Sequence, residues 1–277
     1  MERSPTATLL CAIGLLLGLM MGPAKGGKSD VEASSRPAVD GLNVKLTIGH
    51  SFDQADIMWG SGSLAIPLGH RFGLQIDAAA AEADVGILRQ SSIYGVGLHL
   101  FWRDPTRAML GLYAHTVHLD DFGGVNFQVA AVESELYWDR VSLANIVGVS
   151  DADFLDIEFF NRFTIAYYPL DNLRLSVGHS YGYGRHALTL AGEWAVGNAN
   201  TATSSMLANG SVQEDGEASA TAGLRLYLGQ HDKSLIRRHR EDDPQGSLAI
   251  AIGDAANAIT NSSWEGSSIC IGQLACF

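Results

Sequence analysis

"SSIYGVGLHLFW", residues 91–102, changes polarity at nearly every step. Tyr94, Val96, Leu98, Leu100 and Trp102 share one parity, and Ser91, Gly95, Gly97 and His99 the other. Successive side chains of a strand point to opposite faces, so this alternation predicts a β-strand with one apolar and one polar face. The same period runs through the chain. Leu42, Val44, Leu46 and Ile48 oppose Asn43, Lys45 and Thr47, and Phe72, Leu74, Ile76 and Ala78 oppose Gly73, Gln75 and Asp77. Leu155, Ile157, Phe159, Phe163, Ile165 and Tyr167 oppose Asp156, Glu158, Arg162 and Thr164. Leu173, Leu175 and Val177 oppose Arg174 and Ser176; Leu188, Leu190 and Trp194 oppose Arg185, Thr189 and Glu193. In the last clear segment Leu224, Leu226 and Leu228 oppose Gly223 and Arg225. Two stretches fit less well. Residues 123–138 carry Val125, Phe127 and Val129 on one parity and Val132, Leu136 and Trp138 on the other, which predicts a bulge near Ala130 or Ala131. Pro67 weakens the strand at 61–69, because proline cannot donate to a ladder.

The N-terminus, "MERSPTATLLCAIGLLLGLMMGPAKG", has Arg3, an apolar run from Leu9 to Met21 and small residues at Gly22 and Ala24. This is the pattern of a cleaved signal peptide over 1–24, and the run falls short of the ~20 residues a membrane-spanning helix needs. The chain carries a formal net charge of −12, which removal of Glu2 and Arg3 leaves unchanged. An acidic exported protein is a poor partner for nucleic acid. Cys270 and Cys276 remain in the mature chain, close enough in sequence for one small disulfide loop and too near the end to staple the fold.

Short turns near His70, at 103–107, at Asp139 and at 169–171 alternate with more acidic links at 50–60, 84–90, 119–123, 150–153 and 182–184. Short turns at one end and longer loops at the other describe an outer-membrane barrel, whose strands are even in number. Eleven clear strands and a weak polar one near 201–209 give an antiparallel up-and-down barrel of twelve strands, with ten as the alternative.

Three features turn the apolar face outward. The polar face carries Lys45, Asp77, Asp156, Glu158, Arg162, Arg174, Arg185, Glu193 and Arg225, which suits a wet or ion-paired lumen and makes these the lumen-lining candidates. Twelve strands enclose more space than Leu and Val can fill. Trp102, Trp138, the pair Tyr167 and Tyr168, and Trp194 fall just before successive short turns, as an interfacial girdle requires.

The stretches "IPLGHRFGLQID" (66–77), "GLHLFWRDPTRAMLGLY" (97–113) and "AYYPLDNLRLSVGH" (166–179) resemble a family of porin-like outer-membrane β-barrel proteins of Gram-negative bacteria, largely of unassigned function. The resemblance spans roughly residues 40–228 and implies fold and location, the cell outer membrane. No catalytic or binding residues come with it.

The chain therefore divides into a signal peptide (1–24), a short N-terminal periplasmic segment (25–41), the barrel (42–228) and a periplasmic C-terminal tail (229–277). The tail opens with "HDKSLIRRHREDDP", a mixed-charge run that reads as a solvated connector, with a peptidoglycan or partner contact as the sharper alternative. No cofactor and no metal site is expected. Adjacent His179 and Ser180 point to opposite faces, and "DADFLD" (151–156) lacks the glycine and terminal glutamate of a calcium loop. His99 and His115 read as lone lumen histidines, facing Gly111 and Gly95 across a hairpin closed near Pro105. Arg174 and Glu193 read as an inward pair on neighbouring strands. Loop acids, among them Asp53, Asp56, Asp120, Asp121, Asp151, Asp153, Glu214 and Asp215, make the outer mouth negative, a sign that favours cations. The expectation is a non-enzymatic porin-like channel for small solutes or ions. A closed structural or interaction barrel is the alternative, and a lipid-active enzyme a third reading.

Overall fold

The alternation becomes twelve antiparallel strands closed into one barrel, each paired with its sequence neighbours and β1 with β12. The structure, a computed structural model, describes residues 36–52, 56–84, 90–120, 124–153, 155–182, 184–196, 203–229, 233–242, 244, 248 and 250–252. The expected signal peptide, Asp53, Asp121 and the two C-terminal cysteines lie outside them. The strands are β1 (Asn43–Phe52), β2 (Asp56–Leu68), β3 (Phe72–Asp84), β4 (Gln90–Asp104), β5 (Ala108–Leu119) and β6 (Val125–Trp138). They continue as β7 (Val141–Ala152), β8 (Leu155–Leu170), β9 (Leu173–Gly182), β10 (Arg185–Val196), β11 (Ser204–Gln213) and β12 (Ala218–Leu228). The polar twelfth strand is real, and it starts and ends later than its sequence suggests. Because no edge is left open, every ladder hydrogen bond is made within the wall, which is what a backbone crossing hydrocarbon needs.

Leu46, Ile48, Leu98, Leu100, Ile165, Leu190, Leu224 and Leu226 all remain exposed. A water-soluble protein would bury them; on a closed barrel they are the lipid-facing band. Trp138, 82% exposed, lies with Tyr167 and Trp194 at the short-turn end, where indole and phenol rings meet headgroups. Tyr168 is a correction to the expected girdle: its parity turns it into the lumen, where it is fully buried. The short turns carry their own punctuation, with Gly69 at φ 73° and Asp139 at φ 47°, both left-handed.

The strand β6 needs no bulge. Pairing of β6 with β5 and with β7 runs without a register shift, so Phe127 and Val129 point inward and are buried. An apolar stretch facing the lumen means that something apolar fills the barrel there.

Candidate functional site

What fills the lumen is the chain's own C-terminal segment. Both barrel ends of the sequence, Asn43 and Leu228, lie at the short-turn end, and Leu235, Leu248, Ala251 and Ile252 pack against inward residues of the wall. A helix α1 (Leu235–Glu241) follows Ser234. Its start is tied to the β8–β9 turn by Leu235 N–H to Asn172 Oδ1 (3.1 Å) and Ile236 N–H to the Asp171 carbonyl (3.0 Å). Leu235 packs between Ala195 and Tyr227. Further on, Leu248, Ala251 and Ile252 pack against Ile57, Ile93, Leu119 and Phe127, which sit at the long-loop end of their strands. The described parts of the segment thus reach both ends of the barrel interior.

The reading of 231–244 as a solvated connector is therefore corrected: Lys233, Arg238, Glu241 and Asp242 are buried. Its charges are matched by partners the barrel and the helix supply. Arg238 donates to Asp242 (3.2 Å) and lies over the Tyr227 ring, 5.0 Å from its centroid. Arg240 spans the Tyr137 and Tyr168 rings and donates to the Val141 carbonyl (3.0 Å). Lys233 binds Asp242 and reaches Asp40 (3.1 Å). Glu241 accepts from Arg237 and from Arg36 (2.8 Å), and its carbonyl takes the Asp40 N–H. Residues 36–41 close the same end, with Val39 buried against Ala65, Phe101, Met109 and Tyr137.

A seven-residue helix is unstable alone, so this one exists because the lumen holds it. Burial of each large aliphatic side chain contributes about 1.5–3 kcal/mol. The buried ion pairs add little net stability, but they fix position, because removing one partner strands the other.

His239 is the helix's contact with the wall's polar centre. Its Nδ1 meets Tyr168 Oη at 2.9 Å, and its Nε2 lies 3.4 Å from Tyr227 Oη and 3.5 Å from Glu193 Oε2. Glu193 in turn accepts from Arg225 (2.8 Å), Ser205 (2.5 Å) and Tyr227 (2.5 Å). Burial pushes the His239 imidazole below its ordinary range against the opposing pull of Glu193.

A second polar centre lies in the wall, built on His99 of β4. His99 is fully buried, with Nδ1 2.8 Å from Glu133 Oε2 and Nε2 2.9 Å from Asp77 Oδ2. Gln75 donates to both Asp77 oxygens, and Tyr113 stacks on the imidazole at 4.4 Å. Two carboxylates facing one ring need a proton on each nitrogen, or one of their own. Gly111 makes room for this arrangement: a Cβ there would come within 2.8 Å of Glu133 Oε1. The expected lone histidine is thus a bridged one, and the hairpin register places Tyr113 opposite His99 and Gly97 opposite His115. The inward face of residues 91–102 also includes Ile93 and Phe101, both buried, and Gly95 lies against Leu248 of the tail.

The sequence candidates divide by position. Lys45, Arg162, Arg174, Glu193 and Arg225 line a cavity of about 210 Å³ between the C-terminal segment and the wall. Arg174 and Glu193 are directly opposite in register, while Glu193 forms its 2.8 Å ion pair with Arg225. Asp77 belongs to the His99 centre, and Lys45 Nζ also lies 3.5 Å from the Pro244 carbonyl. Arg185 is near the outer turn with Gln213 and Asp215, Glu158 is near Gly184, and Asp156 is exposed at the outer end. Sequence reasoning missed Glu133, Tyr168, Tyr227 and His239. The inward Phe127 and Val129, together with the apolar "LAIAI" (248–252), were the signal for an occupied lumen. Among the described residues no group of three or more His, Cys, Asp or Glu is placed to hold a metal ion.

No protein-family model and no curated protein matches the sequence. Solved structures do match the fold. The KdgM porin in complex with disordered oligogalacturonate aligns at TM-score 0.54 and 10% identity, covering 67% of this chain and 99% of that one. The KdgM porin alone aligns at TM-score 0.53 with the same identity and coverage. The COG4313 outer membrane channel from Pseudomonas putida F1 gives 0.49 at 11% identity, over 74% of this chain and 100% of that one. What this chain shares with the KdgM porin is its fold, a closed antiparallel β-barrel.

Proposed function

We propose that the protein is an outer-membrane, porin-like channel for small solutes or ions whose lumen is occupied by its own C-terminal segment. The observation that carries this reading is the seating of α1 at one end of a polar cavity inside a closed twelve-strand barrel. The fold likeness to the KdgM porin supports the channel half of it. An acidic outer mouth, with Asp151, Asp153, Asp156 and Asp215 among its described residues, gathers cations at the entrance. Solutes pass around the segment or after it shifts, and the outward apolar band meets membrane lipid.

The rival is a closed structural or interaction barrel, and the bridged His99 centre favours it, since a buried cluster with both ring nitrogens engaged fills space in the wall's inner face. Planar-bilayer conductance separates the two. Ala195→Cys with Leu235→Cys, in a chain whose native cysteines are serine, ties α1 to β10 when oxidised, because the two side chains pack together. The channel reading expects discrete steps from the reduced protein and smaller or absent steps from the oxidised one. A folded barrel that is silent in both states, and stays silent when Glu193→Gln loosens the helix, sinks the channel reading.

A further inference from the structure

The outward band is apolar on most strands, where residues such as Leu46, Ile76, Leu98 and Leu224 hold it. On β7 and β8 two amides interrupt it. Alternation along these strands gives Asn145 and Asn161 the same outward parity as Val149, Phe159 and Phe163, and both are half-buried. Asn161 stands six residues along β8 from Tyr167 of the short-turn girdle. At about 3.4 Å per residue and a strand tilt near 40°, that is about 15 Å into an apolar band about 25 Å tall. No water reaches a side chain at that depth.

The two amides satisfy each other only in part. Asn161 Nδ2 donates to Asn145 Oδ1 (2.9 Å) and to the Ile146 carbonyl (3.2 Å), which uses both of its hydrogens. Asn145 Nδ2 and Asn161 Oδ1 have no partner among the described residues. A polar group without a hydrogen bond is costly in hydrocarbon, and an acyl chain can cover this surface but bond neither atom. The pair therefore offers outward one donor group and one acceptor. A two-fold axis between them sets the donor of each copy against the acceptor of the other, which is the self-complementary pattern of an isologous contact. The surrounding wall allows close approach. Ser134, opposite Asn145 in register, is buried although it shares the outward parity, and Ala130 beyond it is small.

We propose that the outward face of β6–β8, centred on Asn145 and Asn161, is the surface on which a second copy of this chain docks within the membrane. The pairing needs a closed barrel in lipid and no conducting lumen, so its test is independent of ion flow. The full mature chain, its native cysteines replaced by serine, is refolded into phosphatidylcholine vesicles at several protein-to-lipid ratios. Val147→Cys, opposite Asn161 in register, and Leu46→Cys, on β1 across the barrel, report contact by oxidative cross-linking. Sedimentation equilibrium in detergent gives the association constant.

The expected result is a covalent dimer through Val147→Cys and none through Leu46→Cys. Asn145→Val and Asn161→Val should each weaken association about tenfold in barrels that keep heat-modifiable migration, since each removes one hydrogen bond from both halves of a symmetric contact. The cysteine variants keep both asparagines and so decide the contact even where a valine variant misfolds. A chain that is monomeric at every ratio leaves this face to lipid and overturns the proposal. A dimer that both folded valine variants leave unchanged, or cross-linking at Leu46→Cys equal to that at Val147→Cys, overturns it as well. A monomer whose Val147→Cys cross-links to a different protein in intact cells assigns the face to another occupant and overturns self-pairing.

Discussion

Tyr168 Oη in the wall and His239 Nδ1 in the C-terminal segment lie 2.9 Å apart inside the barrel, 71 residues apart in sequence. Tyr168→Phe removes that hydrogen bond and leaves the ring that Arg240 covers. A buried hydrogen bond contributes about 0.5–1.5 kcal/mol, so the segment should detach several-fold more often. Raised channel open probability, or faster cleavage of the segment by added protease, checks this. Unchanged values for both would show that Tyr168 does not hold the helix.

The Asp77–His99–Glu133 centre should respond differently. His99→Leu leaves two carboxylates buried against each other without the bridging ring, and losing one partner of a buried ionic group costs roughly 3–5 kcal/mol. Urea unfolding in vesicles should show a loss of that order. The triple change Asp77→Asn, His99→Leu and Glu133→Gln should recover much of it, since no charge is then stranded. A His99→Leu protein of full stability would remove the centre's structural role.

Leu248→Glu tests the far end of the segment. Its side chain sits in an apolar cluster with Ile93, Leu119 and Phe127, where an unpaired carboxylate has no partner among the cluster's side chains. The outer half of the segment should leave the lumen while α1 stays seated. Spin labels at 250 would then gain mobility and labels at 236 would not. Equal mobility at both sites would mean that the segment moves as one body.

Acidification should loosen the segment through His239. Burial holds its imidazole below the ordinary value near 6.5, so the released segment takes up a proton before the docked one does. Docking is therefore strongest above that value and weakens as pH falls through the window below it. Tyr168, Tyr227 and Glu193 face the ring, with Arg174 and Arg225 beyond, and Glu193 limits the loss by attracting the protonated form. Release followed by protease sensitivity should rise from pH 7 to 5 and do so less in His239→Gln. A flat profile, or one unchanged in that variant, would place the pH response elsewhere.

The barrel wall was legible because lipid on one side enforces a strict period of two, and Leu98, Leu100, Leu224 and Leu226 obey it. The strand count was legible because short turns and longer loops alternate. The lumen was not, because its contents come from far along the chain. "KSLIRRHRED" has the composition of a solvated run, and partners far away in sequence, among them Glu193, Tyr168, Tyr227, Asp40 and Arg36, turn its charges inward. The parity change at Phe127 and Val129 registered that apolar contact locally, and a bulge offered a cheaper explanation that the unbroken β5–β6–β7 register excludes. The hairpin at Pro105 was found, but its register was set two residues off, so Tyr113, which stacks on the His99 ring, was not placed opposite it.

The most direct measurement is thiol labelling of Leu235→Cys, in a chain with its native cysteines replaced by serine, refolded into vesicles and exposed to a membrane-impermeant maleimide from both sides. Leu235 is fully buried between Ala195 and Tyr227. An occupied lumen predicts labelling at least a hundredfold slower than in the urea-unfolded protein, accelerated by Tyr168→Phe. Labelling at the unfolded rate would mean that the segment hangs outside the barrel.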